Sequence, residues 1–221
     1  MSYKSNTLLY DAPVRVFVLN VIGQLRLYSL ADLILVLAAL QTTSRIGLGV
    51  ILLHISFLLY LELIHKDSGR SMLPKYSFAP FLIIGFWLVP HIAILGYVVF
   101  SLFYILKKQW HFGAFSPLSR AVQHYFLFVP MIGLWNPLLV FVIPLIILRN
   151  FAGDLRDVVK DSHEGVQTLP VLLGIKKDYS YAHFVMLLVT TTVWWGLSDL
   201  SIWWLLGTYV VQLFTYDLTP R

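Results

Sequence analysis

Ser77-Phe-Ala-Pro-Phe-Leu-Ile-Ile-Gly-Phe-Trp-Leu-Val-Pro90-His91-Ile-Ala-Ile-Leu-Gly-Tyr-Val-Val-Phe-Ser-Leu-Phe-Tyr-Ile-Leu106 is thirty residues of almost unbroken apolar sequence. One helix of that length would run about 45 Å and overshoot a hydrocarbon core about 30 Å thick. Two helices of about 14 residues would each fall short of it. Pro90 lacks a backbone donor and clashes with the preceding turn, so it marks a break. The loops on either side decide between the two. Lys66, Arg70 and Lys75 precede the stretch, and Lys107 and Lys108 follow it. Basic loops stay on the cytoplasmic face, so the chain must return to the side it left. The expectation is a hairpin of two short helices broken near Pro90, with one long tilted helix as the alternative.

Composition sets the class. Of the 221 residues, 58% are hydrophobic and 12% charged, and mean hydropathy is +0.77. A soluble domain carries about 25% charged residues. The net charge of +5 sits in short runs between apolar segments, a membrane-anchoring pattern that gives no reason to expect nucleic acid as a partner. With no cysteine in the chain, thiolate chemistry and disulfides are excluded. The polar opening, with Lys4, Asp11 and Arg15, has no short apolar core followed by a small-residue cleavage site, so no cleavable signal is expected.

The other apolar runs follow in order. Val14–Leu25 reads as an interfacial helix that closes a polar lead, 1–26. Spans are expected at about 27–41, 46–64, 117–133, 136–148, 181–197 and 200–214. With the hairpin these make eight crossings, both termini inside. The prediction is an all-α polytopic membrane bundle forming a single domain, 1–221, in which the charged loops share the cytoplasmic face.

One segment is unlike the rest: Arg149-Asn-Phe-Ala-Gly-Asp-Leu-Arg-Asp-Val-Val-Lys-Asp-Ser-His-Glu-Gly-Val-Gln-Thr-Leu-Pro170. At roughly 100° per residue, Asn150, Asp154, Asp157 and Asp161 fall within about 60° of one another on a helix. Arg149, Arg156 and Lys160 form a second narrow band. Carboxylates three and four residues apart repel, so the acidic face calls for a cation. Oxygen ligands of this kind suit Mg²⁺, which is usually completed by waters and substrate phosphates. A solvated charged cap at a helix end is the plainer reading of the same spacing.

This segment resembles the second aspartate-rich motif of the UbiA superfamily of intramembrane prenyltransferases. The likeness covers about 26 residues: aspartates at three offsets (Asp154, Asp157, Asp161), then Gly165, Thr168-Leu-Pro170 and Gly174. Arg26-Leu-Tyr-Ser-Leu-Ala-Asp32 resembles the family's entry more weakly. The resemblance implies a lateral, lipid-open cavity with two acidic motifs at its cytoplasmic mouth. These would hold Mg²⁺ and a prenyl diphosphate, and the prenyl group would pass to a hydrophobic or aromatic acceptor. The counterpart of the family's first motif is Glu62-Leu-Ile-His-Lys-Asp67-Ser-Gly-Arg70-Ser-Met-Leu-Pro74, which keeps a single aspartate. Asp154, Asp157 and Asp161, with Asp67 from the opposite loop, are therefore the expected catalytic and metal-binding set. Arg149, Arg156, Lys160, Lys66 and Arg70 are expected diphosphate contacts, and Asn150 is expected to orient the acceptor or a water. No general base is evident. A catalytically silent relative that binds isoprenoid or lipid, or scaffolds a complex, is the alternative, since half the usual metal cage is missing.

The remaining polar residues carry weaker signals. The seven histidines have no metal-ligand spacing and read mostly as packing or interface residues. Trp194-Trp195 and Trp203-Trp204 read as interface belt rather than a ligand cage. Gly47-x-Gly49 reads as a small-residue packing spot. Asp32 is as readily a cavity residue as not, because intramembrane acids seldom face lipid.

Overall fold

The computed structural model describes residues 14–65, 73–105 and 112–218. Every regular element among them is helical. The polar residues of the chain are too few to cap and solvate its backbone, so each apolar run satisfies its own N–H and C=O groups as a helix. Helix α1 is Val14–Leu25, α2 Leu27–Ala39 and α3 Ser44–Tyr60, the last running into a π-helical turn at Leu61–His65. Helices α4 (Ala79–Leu88) and α5 (Ala93–Ile105) follow. A 3₁₀ turn, Phe112–Phe115, leads into α6 (Ser116–Ile132), and α7 is Leu138–Arg156. The short α8 (Val158–His163) and α9 (Leu169–Leu172) precede α10 (Ala182–Gly196) and α11 (Ile202–Thr215).

Residues 77–106 are split as the proline requires, with α4 and α5 separated at Val89–Ile92. His91 Nδ1 accepts the Ala93 N–H at 3.1 Å and so satisfies a donor at the start of α5. Arg26 adopts a left-handed conformation (φ 46°) between α1 and α2, and the two helices meet at a 50° bend. By length and composition, Ser44–Leu63 and Leu138–Arg156 can each cross a membrane, and the bent pair would add a third crossing. Helices α4, α5 and α10 are apolar but shorter.

Helices α2, α3, α5, α6, α7 and α10 surround the centre, while α4 packs on α3 and α11 on α2. The outer surface is unusually apolar, and polar groups are buried beside the apolar core. Ile83, Trp87, Ile92, Trp203 and Phe214 are exposed, whereas Asp32, His54, Arg120, Gln123, Thr190, Thr191 and Gln212 are buried. Apolar surface outward and polar groups inward is the arrangement a bilayer imposes. Trp194 departs from the expected belt: it is buried and packs edge-on against Phe128.

Helices α3 and α4 approach through Gly49 and Gly85. A Cβ on Gly49 would lie 2.9 Å from Leu88 Cβ, and one on Gly85 would lie 2.8 Å from Leu53 Cγ. Small residues permit such contact between helices in lipid. Gly49→Val should therefore cost about 1–3 kcal/mol of stability through overpacking, read as a lower thermal midpoint in detergent. An unchanged midpoint would show that α4 is free to move away.

Candidate functional site

The central helices enclose a polar cavity of about 50 Å³, large enough for a few water molecules. Three arginines line it, one each from the α1–α2 junction, α6 and α7: Arg26, Arg120 and Arg149. Two of them are neutralised inside the protein. Arg26 Nη2 donates to Glu62 Oε1 at 2.8 Å. Arg149 Nη1 donates to Asp32 Oδ2 at 2.5 Å and its Nη2 reaches Ser29 Oγ at 3.4 Å. Asp32 Oδ1 accepts from Thr191 Oγ1 at 2.9 Å, and Thr191 in turn accepts from Gln212 Nε2 at 2.8 Å. One polar network thus ties α2, α7, α10 and α11 together.

Arg120 is different. Its side chain is buried, and no carboxylate of a described residue pairs with it. The guanidinium donates to Gln123 Oε1 and lies 4.2 Å over the Phe57 ring and 5.6 Å from the centre of Tyr104. Cation–π contacts offset part of the desolvation cost of the charge but leave it standing. Among the described residues, Arg26 and Arg149 are each matched by one acid and Arg120 by none. A buried group of this kind selects an anion.

The acidic segment begins one helical turn from the cavity. Ile146, Arg149 and Asn150 line the cavity, and Asp154 follows Asn150 by four residues on the same face of α7. Asp154 is buried and accepts from Ser116 Oγ, at the start of α6, at 3.3 Å. The continuous acidic stripe expected from the spacing does not form. Helix α7 ends at Arg156, Asp157 leaves helical geometry (φ −108°, ψ 18°), and α8 restarts at Val158. The cause lies downstream. The hydrogen bond that would join Val159 N–H to Leu155 C=O is replaced at both ends. Val159 N–H donates to Asp178 Oδ1 at 2.8 Å, and Leu155 C=O accepts from Tyr179 N–H at 3.0 Å. Asp178→Ala should cost about 1 kcal/mol in thermal unfolding, while Asp178→Asn, which keeps an acceptor oxygen, should stay near wild type. Equal losses in the two would refute this account of the break.

Turn geometry explains the glycines and the proline of the resembling segment. Gly165 (φ 69°) and Gly174 (φ 74°) take left-handed conformations that glycine adopts without strain. Thr168 precedes α9 in extended geometry with its buried hydroxyl making no bond to the helix, and Pro170 occupies the first turn. Gly174 N–H and Ile175 N–H close the end of α9 on Val171 O and Pro170 O.

The expected site residues separate into distinct environments. Asp154 and Asp161 are buried. Both Asp157 oxygens are held by Arg156, at 2.8 and 2.6 Å. Among the described residues no group of three or more acidic or histidine side chains gathers as if to hold a metal ion. Asn150 lines the cavity and donates back to Ile146 O. The basic band also disperses: Arg149 points into the bundle, Arg156 reaches Tyr216 OH at 3.3 Å, and Lys160 is exposed. Asp67, Lys66 and Arg70 lie outside the described residues.

Arg26, which opens the stretch resembling the family's entry, lines the cavity with Arg120, His124 and His183, which the sequence does not single out as site residues. They come from the α1–α2 junction, α6 and α10, and no linear spacing connects these three places. One signal was present: a lone arginine within an otherwise apolar span, as at Arg120, is a functional candidate in a membrane protein. Comparison with protein-family models, curated proteins and solved structures finds no match to this chain.

Proposed function

We propose that this chain is an integral-membrane prenyltransferase that moves a prenyl group from a prenyl diphosphate to a hydrophobic or aromatic acceptor, with Mg²⁺. The observation that carries the reading is the arginine cavity, with its unbalanced Arg120, one turn from the buried carboxylate of Asp154. The guanidinium groups would attract an anionic headgroup, and an isoprenoid tail would lie along the apolar outer surface of the helices. The proposed topology is eight crossings with both termini and the charged loops in the cytoplasm. Its crossings beyond the two or three long helices would be made by the shorter apolar ones.

Mg²⁺ is commonly held by one or two carboxylates and completed by substrate phosphates, and the buried Asp154 and Asp161 are the acids that would hold it. Asp67 is a third candidate. Asp154 also stands in the last turn of α7, where the helix dipole disfavours an acid and favours a cation. When bound, Mg²⁺ supplies charge neutralisation for the departing diphosphate. Arg120 would hold the phosphate oxygens through its planar fork of donors. Arg149, fixed by Asp32, would present the remainder of its guanidinium to the cavity, and Asn150 would orient the acceptor.

The pairing of Asp157 with Arg156 favours a second reading: a silent relative that binds a diphosphate lipid without turning it over. Purified protein given labelled farnesyl or geranylgeranyl diphosphate distinguishes the two. Mg²⁺-dependent diphosphate release that EDTA abolishes and Asp154→Asn strongly reduces is the expected result. Tight binding without release across a range of acceptors would establish the silent reading.

A further inference from the structure

From the structure we infer that His124 is the proton acceptor of the cavity, removing the proton of the nucleophile as the new bond forms. The inference rests on the prenyl-transfer reading and supplies the base that reading lacks. His124 stands on α6 one turn after Arg120 and lines the same cavity. Its Nδ1 lies 2.9 Å from the carbonyl oxygen of Arg120. A carbonyl can only accept, so Nδ1 carries the hydrogen and Nε2 carries the lone pair. The backbone of α6 thereby fixes both the tautomer and the ring plane.

Nε2 makes no hydrogen bond to any described residue. Nδ1 of His54 is buried without a partner, whereas His124 is only half-buried and lines the cavity. His54 supports it from behind. The two rings meet edge to face with centroids 5.8 Å apart, and His54 Nε2 lies 3.4 Å from Ser29 Oγ. His54, His124, Ser29 and Asp32 border a second hollow of about 20 Å³. That is sufficient for a single water to carry the proton onward. His183, the other histidine of the cavity, instead has its Nδ1 bonded to Tyr216 OH at 3.0 Å and its ring stacked on that tyrosine.

The step balances. The allylic C–O bond breaks and its electron pair leaves with diphosphate. The acceptor's oxygen or ring carbon forms the new bond to the allylic carbon, and its proton passes to His124 Nε2. The products are the prenylated acceptor, diphosphate and an imidazolium that later returns its proton to water.

Diethyl pyrocarbonate acylates accessible, unprotonated imidazole nitrogens, and fragment mass spectrometry locates the adduct. In the full-length protein in detergent, His124 is expected to react and His54 is not. Mg²⁺ with the non-ionising analogue farnesyl S-thiolodiphosphate is expected to slow the reaction severalfold at His124 but not at exposed His163. An unreactive His124, or one the analogue fails to protect, overturns the inference without any variant. In the second arm, labelled farnesyl diphosphate is turned over with 2-naphthol, and any product formed with water is also counted. His124→Asn keeps an N–H for the Arg120 carbonyl but offers no basic nitrogen. It is expected to form prenylated product about 100-fold more slowly and to raise the share of product formed with water, and His124→Gln should behave alike. Undiminished product in both variants refutes the base alone. If wild-type protein releases no diphosphate, prenyl transfer itself fails and the inference falls with it.

Discussion

Asp32→Ala is expected to cost the fold about 3–5 kcal/mol, because it leaves the guanidinium of Arg149 buried without its counter-ion. The pair joins α2 to α7 across 117 positions of sequence, and both side chains are less than a tenth exposed. Thr191 and Gln212 extend the contact to α10 and α11, so the loss spreads beyond one salt bridge. Removing both charges has the opposite consequence. Asp32→Leu with Arg149→Met, similar in volume, should restore most of the stability, since a buried ion pair often contributes no more than well-packed apolar groups. A double-mutant cycle on the thermal midpoint measures this directly. If Asp32→Ala is as stable as wild type, Arg149 has found another partner and the network as described is wrong. If the apolar double variant is stable but inactive, the pair is retained to present Arg149 to the cavity rather than to hold the bundle.

The same network shows what a linear reading reaches. Apolar runs specify the helices well: 46–64 becomes α3 with its π-helical turn, and Pro90 divides α4 from α5. A bilayer makes these elements locally determined, since each must satisfy its own backbone. The broken acidic stripe was not legible, because the groups that split it, Asp178 and Tyr179, lie some twenty residues downstream. Nor was the cavity. Asp32 read as an undecided intramembrane acid, and the histidines read as packing residues. Helix crossings bring His54, His124 and Arg120 to one place, and no periodicity within a helix reports on that. The glycines and Pro170 of the resembling segment shape turns around α8 and α9. Their agreement with a family pattern therefore reports geometry as much as chemistry.

Arg120 tests whether the cavity is there for function. A charge that only stabilised the bundle would be missed when removed, whereas one kept for a ligand burdens the fold until the ligand binds. Arg120→Met keeps the length of the side chain and its contact with Phe57 while removing the charge. The variant should fold with an unchanged or higher thermal midpoint, because the desolvated cation is gone and Gln123 can still bond to Ser101. Its binding of inorganic diphosphate should fall sharply, and turnover should drop at least about a thousandfold, the scale of losing an arginine that stabilises a phosphoryl leaving group. Arg120→Lys retains a point charge but loses the planar fork, so its turnover should lie between the two. Calorimetric titration with diphosphate, beside thermal unfolding of the same samples, separates the outcomes. A destabilised Arg120→Met that still binds diphosphate would make the arginine a packing element and remove the main support for an anion in the cavity. A more stable protein that no longer binds would show that the bundle accepts an uncompensated charge so that a substrate can supply the partner.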